Sequence, residues 1–452
     1  MAAAARRLPP SLIGPAVYAL YVLLTRLALP FALAADAWQA LRNPGQRGRV
    51  AQRLGFVTAN PRPGCLWVHA VSVGEVQAAA ALLNALRVRH PDLPITLTTV
   101  TPTGAERARA LFGDSVHHCY LPFDTPGAMR RFLDRVQPRL AVILETEIWP
   151  VLYRELGRRN VPLVIGSARL SVRSVDRYRR VDALIRETLA RDVVIGAQSE
   201  VDAERFLAIG APTEHVHVTG NVKLDLRIPA AAIDAGHDFR RQYAAGRPVW
   251  IAGSTHEGEE EAALAAHATA CVRHPDALLV LVPRHPQRFD AVRAKLRKRG
   301  VGFVQRSSGA PPAEDDRIFL LDTVGELQAF YAAADIAFVG GTLVPVGGHN
   351  LLEPALLGLP ILAGPHTHNA PDIARLLADS GALTKVSNGD ELARQVSGFL
   401  DDPPRAAAVG RRGRSAVEAS RGAVDRLIAL IEPLLRSSDE RPAASSASSG
   451  SR

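Results

Sequence analysis

Apolar positions are distributed unevenly along this chain, and their rhythm changes twice. Residues 11–38 form one apolar run, broken only by Arg26 and Asp36. From Cys65 the pattern becomes an alternation of short β-branched runs and helical stretches. The runs at 66–69 and 95–98 are followed by helical patterns at 76–89 and 104–112, and further runs lie at 141–144, 163–165 and 193–195. Continuous apolar strands separated by helices mark a parallel sheet covered on both faces. This block ends near Asn221. A polar, Ala- and Arg-rich stretch, 223–247, follows as an expected connector. A second series then runs through 249–252, 278–282, 318–320, 336–339 and 361–362. The expected fold is α/β, with two Rossmann-like, doubly wound domains and a ligand cleft at their carboxyl strand ends. The expected boundaries are 1–60 for a membrane-anchor segment, 61–222 and 248–436 for the two domains, and 437–452 for a Ser/Ala-rich tail of disordered composition. No repeat of solenoid period is present.

Composition agrees with two packed cores: of 452 residues, 47% are apolar and 22% charged, while aromatics are only 5%. Cys65, Cys119 and Cys271 lie far apart and form no CxxC pair, which fits a reducing compartment. The net charge of +9 is concentrated at the start of the chain. Residues 1–60 hold seven arginines, no lysine and the single acid Asp36. Basic residues around an apolar run, with no nucleic-acid motif, point to a membrane surface and exclude a nucleic-acid partner. No clean small-x-small cleavage site leads into a secreted domain, so a retained anchor is expected, either spanning the bilayer or lying in its interface, with a buried amphipathic helix as the alternative.

Candidate chemistry gathers at the ends of the expected strands. The segment 340–354 carries two Gly-Gly pairs and runs from an apolar strand into a helix. Such a loop suits a phosphate, with Glu353 placed to accept from ribose hydroxyls, although Asn350 also fits a plain helix cap. The segment 253–260 fits either a capped, acid-rich helix start or a phosphate contact. Arg284, after Pro283, is a charge-assisted donor at a strand end or a solvated cap. In the first half, Glu75 follows a strand-to-helix turn, where it is either a general base or a helix-terminal acid worth about 0.3–1 kcal/mol. Glu145 and Glu147 end another apolar strand, and Lys223 at the domain junction suits developing negative charge. The His117-His118 and His366/His368 pairs lack carboxylates at ligand spacing, and no Asp-x-Asp motif occurs, so no metal is expected.

Together these segments resemble the Kdo (3-deoxy-D-manno-octulosonic acid) transferase family of lipopolysaccharide biosynthesis. The resemblance rests on HAVSVGE (69–75), TPTG (101–104), ETEIWP (145–150), GSARLS (166–171), GNVKLD (220–225), STHEGEE (254–260), PRHPQRF (283–289), GGTLVPVGGHNLLEP (340–354) and GPHTHN (364–369). It implies a GT-B fold, CMP-Kdo as donor, lipid IVA as acceptor, no cofactor, and a place on the cytoplasmic face of the inner membrane. It implies Glu75 as general base, with Glu145 and Lys223 supporting the transition state. CMP is implied to lie against Pro283 and Arg284, against Val324, Gly325 and Glu326, and against Asn350, Leu351, Leu352 and Glu353. Gln52 stands where relatives commonly carry Glu, a departure expected to bear on the acceptor. The expected chemistry is direct displacement with inversion and without metal. A UDP-sugar transferase or epimerase of the same architecture is the alternative reading, and a non-catalytic basic membrane protein is a third.

Overall fold

The computed structural model describes residues 13–42, 48–57, 61–190, 193–313 and 315–439. The chain divides into two units, residues 1–225 together with 421–452, and residues 226–420.

The first unit is built on a sheet of β1 (Cys65–His69), β2 (Ile95–Thr99), β3 (His117–Tyr120), β4 (Pro138–Leu144), β5 (Leu163–Ala168), β6 (Val193–Ala197) and β7 (Val216–Val218). Its spatial order is β3-β2-β1-β4-β5-β6-β7, and the paired strands run parallel. The period-2 geometry of a strand splits its side chains between two cores. Cys65 and Trp67 of β1 join one core with Phe132 and Leu152, while Leu66 and Val68 join the other with Leu82 and Leu427. Trp67 meets Phe132 edge-on at 5.0 Å and its indole N–H donates to Thr98 Oγ1 at 2.9 Å, so a large aromatic is buried without an orphaned donor. The sheet order reverses between β1 and β4, and the carboxyl ends of those strands are the ligand position of such sheets.

The C-terminal helix Ala423–Asp439 returns to this first unit, which corrects the expected second-domain boundary at 436. Leu427, Ile428 and Ile431 are buried in the second core. Gly166 and Gly196 of the sheet make room for Leu427: a Cβ at Gly166 would lie 2.8 Å from its Cδ2. Asp225 caps the helix by accepting from the amides of Gly422 (2.7 Å) and Val424 (2.6 Å). Residues 437–439 thus continue a helix, and the rest of the expected tail, 440–452, lies outside the described residues.

The second unit carries β8 (Val249–Thr255), β9 (Leu278–Pro283), β10 (Phe303–Gln305), β11 (Ile318–Leu320), β12 (Ile336–Val339), β13 (Ile361–Ala363) and β14 (Leu383–Lys385). Its order is β10-β11-β9-β8-β12-β13-β14, again parallel, with the reversal between β8 and β12. The expected connector 223–247 is mostly a helix of this unit, Ala230–Tyr243. Phe239 packs against Phe319 and Phe330, each at 5.0 Å, and Gly236 sits so close to Ala329 that a Cβ would lie 2.2 Å from its carbonyl oxygen.

The N-terminal segment is a helix, Ile13–Arg42, followed by a short one, Arg49–Arg53. Of its arginines, Arg49 and Arg53 are not turned to solvent as a headgroup-binding rim requires. Both pair with the buried Asp36, at 2.9 and 3.3 Å. Gln52 also serves the fold, since its Oε1 accepts from the amide of Tyr120 at 2.9 Å. A carboxylate would accept the same bond, so the Gln-for-Glu departure leaves this contact intact. Arg6, Arg7 and Arg47 lie outside the described residues.

Candidate active site

Two strand ends of the first unit carry its carboxylates, and a third anchors the lysine that meets them. Glu145, just after β4, adopts a left-handed backbone conformation with φ +61°, uncommon for a residue with a Cβ and typical of functional positions held by their surroundings. Its amide is fixed by Gly166 O at 3.0 Å. Ser167, at the end of β5, is likewise left-handed at φ +52°. Its hydroxyl accepts from the amide of Val222 at 3.3 Å, anchoring the turn Val222–Asp225 that carries Lys223. From there Lys223 Nζ reaches Glu145 Oε1 at 2.5 Å, and both side chains stay partly exposed. Such an ion pair keeps the cation oriented while leaving it open to a ligand.

Glu75 lies in the first turn of the helix Val73–Arg89, after β1. Its carboxylate accepts from the amide of Val71 at 2.7 Å and from Ser72 Oγ at 3.3 Å. It therefore caps the turn, as the structural reading of the sequence has it, yet it is also chemically tuned. Burial pushes its carboxyl up to about 7; the Val71 amide and Lys223 hold it down, and Glu145 and Glu147 repel its charge. Glu147, paired with Glu145 in the sequence but given no role by the resemblance, is pushed up to about 7 by burial first and then by Glu145. Two carboxyls poised near neutrality beside a carboxylate–ammonium pair can take up and release protons at physiological pH. His69 of the same motif is a core residue: it is fully buried, bound through Nδ1 to Thr98 Oγ1 at 2.9 Å, and held neutral by burial, which takes it down to about 3.

In the second unit the glycine-rich loop is built differently from the expectation. Its amides do not stand open for a phosphate. The fully buried carboxylate of Glu259 accepts from Gly341 (2.7 Å), Thr342 (3.0 Å), Leu343 (2.9 Å) and His256 (2.9 Å). The anion that fills this cradle belongs to the protein, and it ties the loop after β8 to the loop after β12. Gly347 is required by close approach: at φ +106° a Cβ would lie 2.5 Å from Asn369 Oδ1 and 2.6 Å from His368 Nε2. Asn369 Nδ2 in turn donates to the carbonyls of Val346 (3.2 Å) and Gly348 (3.0 Å). The GPHTHN segment thus stitches the loop closed.

What remains open lies on the loop's outer side. His256 Nε2 and His349 Nε2 are 2.8 Å apart, and the rings of His256 and His285 meet edge-on at 5.3 Å. All three imidazoles are held toward the neutral form, by burial first and by the nearby Arg284 among other cations. Arg284 itself is exposed, its amide fixed on Thr255 O at 2.9 Å, and it forms no ion pair among the described residues. Arg288 is occupied by a two-point pair with the buried Glu260, at 3.2 and 3.0 Å. Arg284 and Asn350, neighbour of His349, are therefore brought into one region. Asn350 Oδ1 accepts from the amide of Leu352 at 3.0 Å, the capping arrangement. Leu351 and Leu352 are buried, so their side chains are core. Pro283 is buried at the end of β9. Glu353 accepts from Gln328 Nε2 at 3.0 Å. Glu326 is bound by the Arg306 guanidinium, which holds its carboxyl below the usual range. Val324 and Gly325 form an exposed turn beside it. Among the described residues no group of three or more His, Cys, Asp or Glu is arranged to hold a metal ion.

The sequence missed Glu259, whose place in an acid-rich helix start reads as dipole compensation, and the meeting of His256 with His349 across separate loops. One signal was present: an acid directly after Gly258, in the segment that follows an apolar strand.

Comparison with known proteins gives a consistent result. Residues 48–226 match the family described as 3-Deoxy-D-manno-octulosonic-acid transferase (kdotransferase). A 3-deoxy-D-manno-octulosonic acid transferase of Haemophilus influenzae is 41% identical over 92% of this chain and 98% of its own. One from Bordetella pertussis is 37% identical over 89% and 94%. Among solved structures, a UDP-GlcNAc 2-epimerase of Neisseria meningitidis superposes with a TM-score of 0.53 at 13% identity, covering 82% of this chain and 99% of its own. That likeness concerns the fold.

Proposed function

We propose the reaction of this chain on the premise that it belongs to the 3-deoxy-D-manno-octulosonic acid (Kdo) transferase family, the glycosyltransferases that transfer Kdo in lipopolysaccharide biosynthesis. The specific reaction is transfer of Kdo from CMP-Kdo to a hydroxyl of lipid IVA, with inversion and without metal or cofactor, at the cytoplasmic face of the inner membrane. The observation that carries the mechanism is Glu75, a carboxyl held near neutrality beside the Glu145–Lys223 pair.

The acceptor hydroxyl attacks the anomeric carbon of Kdo as its bond to the CMP phosphate oxygen breaks. The hydroxyl proton passes to Glu75, and CMP leaves with the electron pair. A base whose affinity for a proton is near the working pH both accepts it in the transition state and releases it afterwards. Lys223, fixed by Glu145, places positive charge for the negative groups of the reactants. Arg284, without an ion pair among the described residues, is the cation proposed for the leaving phosphate, supported by Asn350 and the turn 324–326. With fixed donors in place, the departing phosphate is neutralised without a metal. Because Glu259 occupies the amides inside the glycine loop, the outer side is the place proposed for the phosphate.

The experiment is incubation of the protein with CMP-Kdo and lipid IVA, products read by mass, in EDTA and in Mg²⁺, with a UDP-sugar as control donor. A Kdo–lipid product formed equally in both buffers is expected. Turnover of the UDP-sugar and none of CMP-Kdo would replace this reading with the epimerase-like alternative.

A further inference from the structure

The helix Ile13–Arg42 is long and apolar enough to cross a bilayer, with a mean hydropathy of 1.8 over an 18-residue window within Pro15–Leu41. Its contacts argue for another disposition. Its less exposed positions recur at helical spacing, Tyr18, Tyr21, Thr25, Leu29, Ala32 and Asp36, and continue to Ala40. Along that stripe the helix is fastened to the first unit. The Arg154 guanidinium lies over the Tyr18 ring, 4.1 Å from its centroid. Tyr21 donates to Asp124 Oδ2 at 2.8 Å, and Asp124 also caps the helix Pro150–Arg158 through the amides of Val151 and Leu152. Asp36 pairs with Arg49 and Arg53, and Arg49 donates to Gln39 Oε1 at 2.6 Å.

From Tyr18 to Gln39 is about 30 Å of helix at 1.5 Å per residue, roughly the full hydrocarbon thickness. A spanning helix would therefore either shed these contacts or carry Asp124, Arg154, Arg49 and Arg53 into the hydrocarbon. Burying charges there is strongly unfavourable. Shedding them would take Asp36 from its two arginines, which among the described residues would keep only the carbonyls of Val100 and Leu121 as acceptors in a largely buried site.

The opposite face is apolar and open: Leu20, Leu23, Leu24, Leu27, Phe31 and Leu41, with Phe31 79% and Leu41 80% exposed. Basic charge is exposed on the same unit, one helix further on. The helix Asp182–Leu189 packs on the N-terminal helix, and the helix preceding it, Val172–Arg179, exposes Arg173, Arg177 and Arg179, followed by Arg180. Across 172–181 the only acid is Asp176. An open apolar stripe and a run of exposed arginines on the same unit are together complementary to an anionic lipid surface.

We propose that this helix is an in-plane anchor: it stays docked on the first unit and lays its Leu20–Leu41 face into one leaflet of an anionic bilayer. Arg173, Arg177, Arg179 and Arg180 meet the headgroups, and both helix ends remain on the side that holds the first unit. The inference rests on the membrane-facing reading of the function, and goes beyond it in fixing the topology of attachment.

The test uses the full chain with Cys271 replaced by Ser, since Cys65 and Cys119 are buried. Ala16→Cys, Ala37→Cys (exposed and off the Leu20–Leu41 face) and, as a marker of the first unit, the exposed Val88→Cys are made singly and treated with a membrane-impermeant maleimide in sealed inside-out and right-side-out vesicles. All three sites are expected to label from the same face. Labelling of Ala16→Cys from the face opposite to Val88→Cys shows a spanning helix and overturns the proposal. A second arm measures purified protein on phosphatidylglycerol-containing and on pure phosphatidylcholine vesicles. Reversal of Arg173, Arg177, Arg179 and Arg180 to Glu is expected to lower partitioning at least about tenfold on the former and little on the latter. Unchanged partitioning on both removes the basic helix from the surface. Transfer to detergent-dispersed lipid IVA, measured in parallel, keeps a failure of the topology distinct from a failure of the function.

Discussion

Glu75 is placed where catalysis and stability pull in opposite directions. An acid raised from 4.5 to about 7 in the folded protein keeps its proton there over a range where the unfolded chain has lost it. Between those values the folded state binds more protons, so this group's contribution to stability falls as pH rises from about 4.5 through 7. Glu75→Gln keeps an acceptor for the Val71 amide and removes the buried charge. Thermal melts should show the variant equal to wild type near pH 4.5 and more stable at pH 8, by up to about 3 kcal/mol. Turnover should fall about 10²–10⁴-fold. In wild type the acid limb of kcat/KM should lie near 7, since only the ionised carboxylate accepts the proton. Lys223→Met removes the cation that favours ionisation, so that limb should move to higher pH; a shift to lower pH would show that Lys223 does not act on Glu75. Glu259 makes the converse case. Glu259→Gln sets an amide NH₂ against backbone N–H groups in a buried site. Each lost bond to a charged acceptor is worth about 1.5–3 kcal/mol. A large drop in melting temperature and weaker CMP binding are expected, because His349 and Asn350 ride on the same loop. A variant matching wild type in both would show that the cradle needs no anion.

At the scale of elements, the strands that the sequence makes legible are those buried on both faces. Leu66–Val68, Val142–Leu144 and Leu279–Leu281 are uninterrupted apolar stretches because helices cover each sheet on both sides. The strands that escape such a reading are β3, β7, β10 and β14, and each is the edge of its sheet. Their sequences, HHCY, VHV, FVQ and LTK, are short and mixed because an edge has one neighbour and partial cover. Residues near the site follow the same logic. Glu145 and Arg284 are visible because they directly follow buried strands, and Glu75 because it opens the helix after one, whereas the pairing of Glu259 with the loop at 341–343 depends on contacts across 82 to 84 residues. The N-terminal helix adds a test of its own. Its apolar composition speaks for lipid, but Asp36 makes sense only through Arg49 and Arg53. Asp36→Ala leaves both guanidiniums without their carboxylate in a largely buried site, a change costing about 3–5 kcal/mol. Chemical denaturation of the detergent-solubilised protein should show that loss. Stability within about 0.5 kcal/mol of wild type would mean that the helix is not fastened there.

At the scale of the whole molecule, the chain enters the first unit, leaves it after Asp225, and returns at Arg421. Nothing in an amphipathic helix announces which sheet it will cover, so a boundary at 436 is what local pattern alone supports. The contacts decide otherwise, and they separate two fragments by experiment. Residues 226–420 hold a complete seven-stranded sheet, the helix Ala230–Tyr243 that seals Phe319 and Phe330, and the expected nucleotide residues. Residues 248–436 lack that helix and carry instead Val424, Leu427, Ile428 and Ile431, whose partners are in the first unit. The fragment 226–420 should melt cooperatively and be stabilised by CMP. Stabilisation by a ligand that binds only the folded state is RT ln(1 + [L]/Kd), about 2.7 kcal/mol at a hundredfold excess over Kd. UDP at the same concentration should give a much smaller shift, because a cytidine site discriminates at the base. The fragment 248–436 should melt at lower temperature or aggregate, since the faces of Phe319 and Phe330 are uncovered and an apolar helix has lost its sheet. If both fragments melt alike and take CMP equally, the C-terminal helix does not depend on the first unit. If 226–420 folds but responds to UDP and not to CMP, the unit boundary holds and the donor assignment fails.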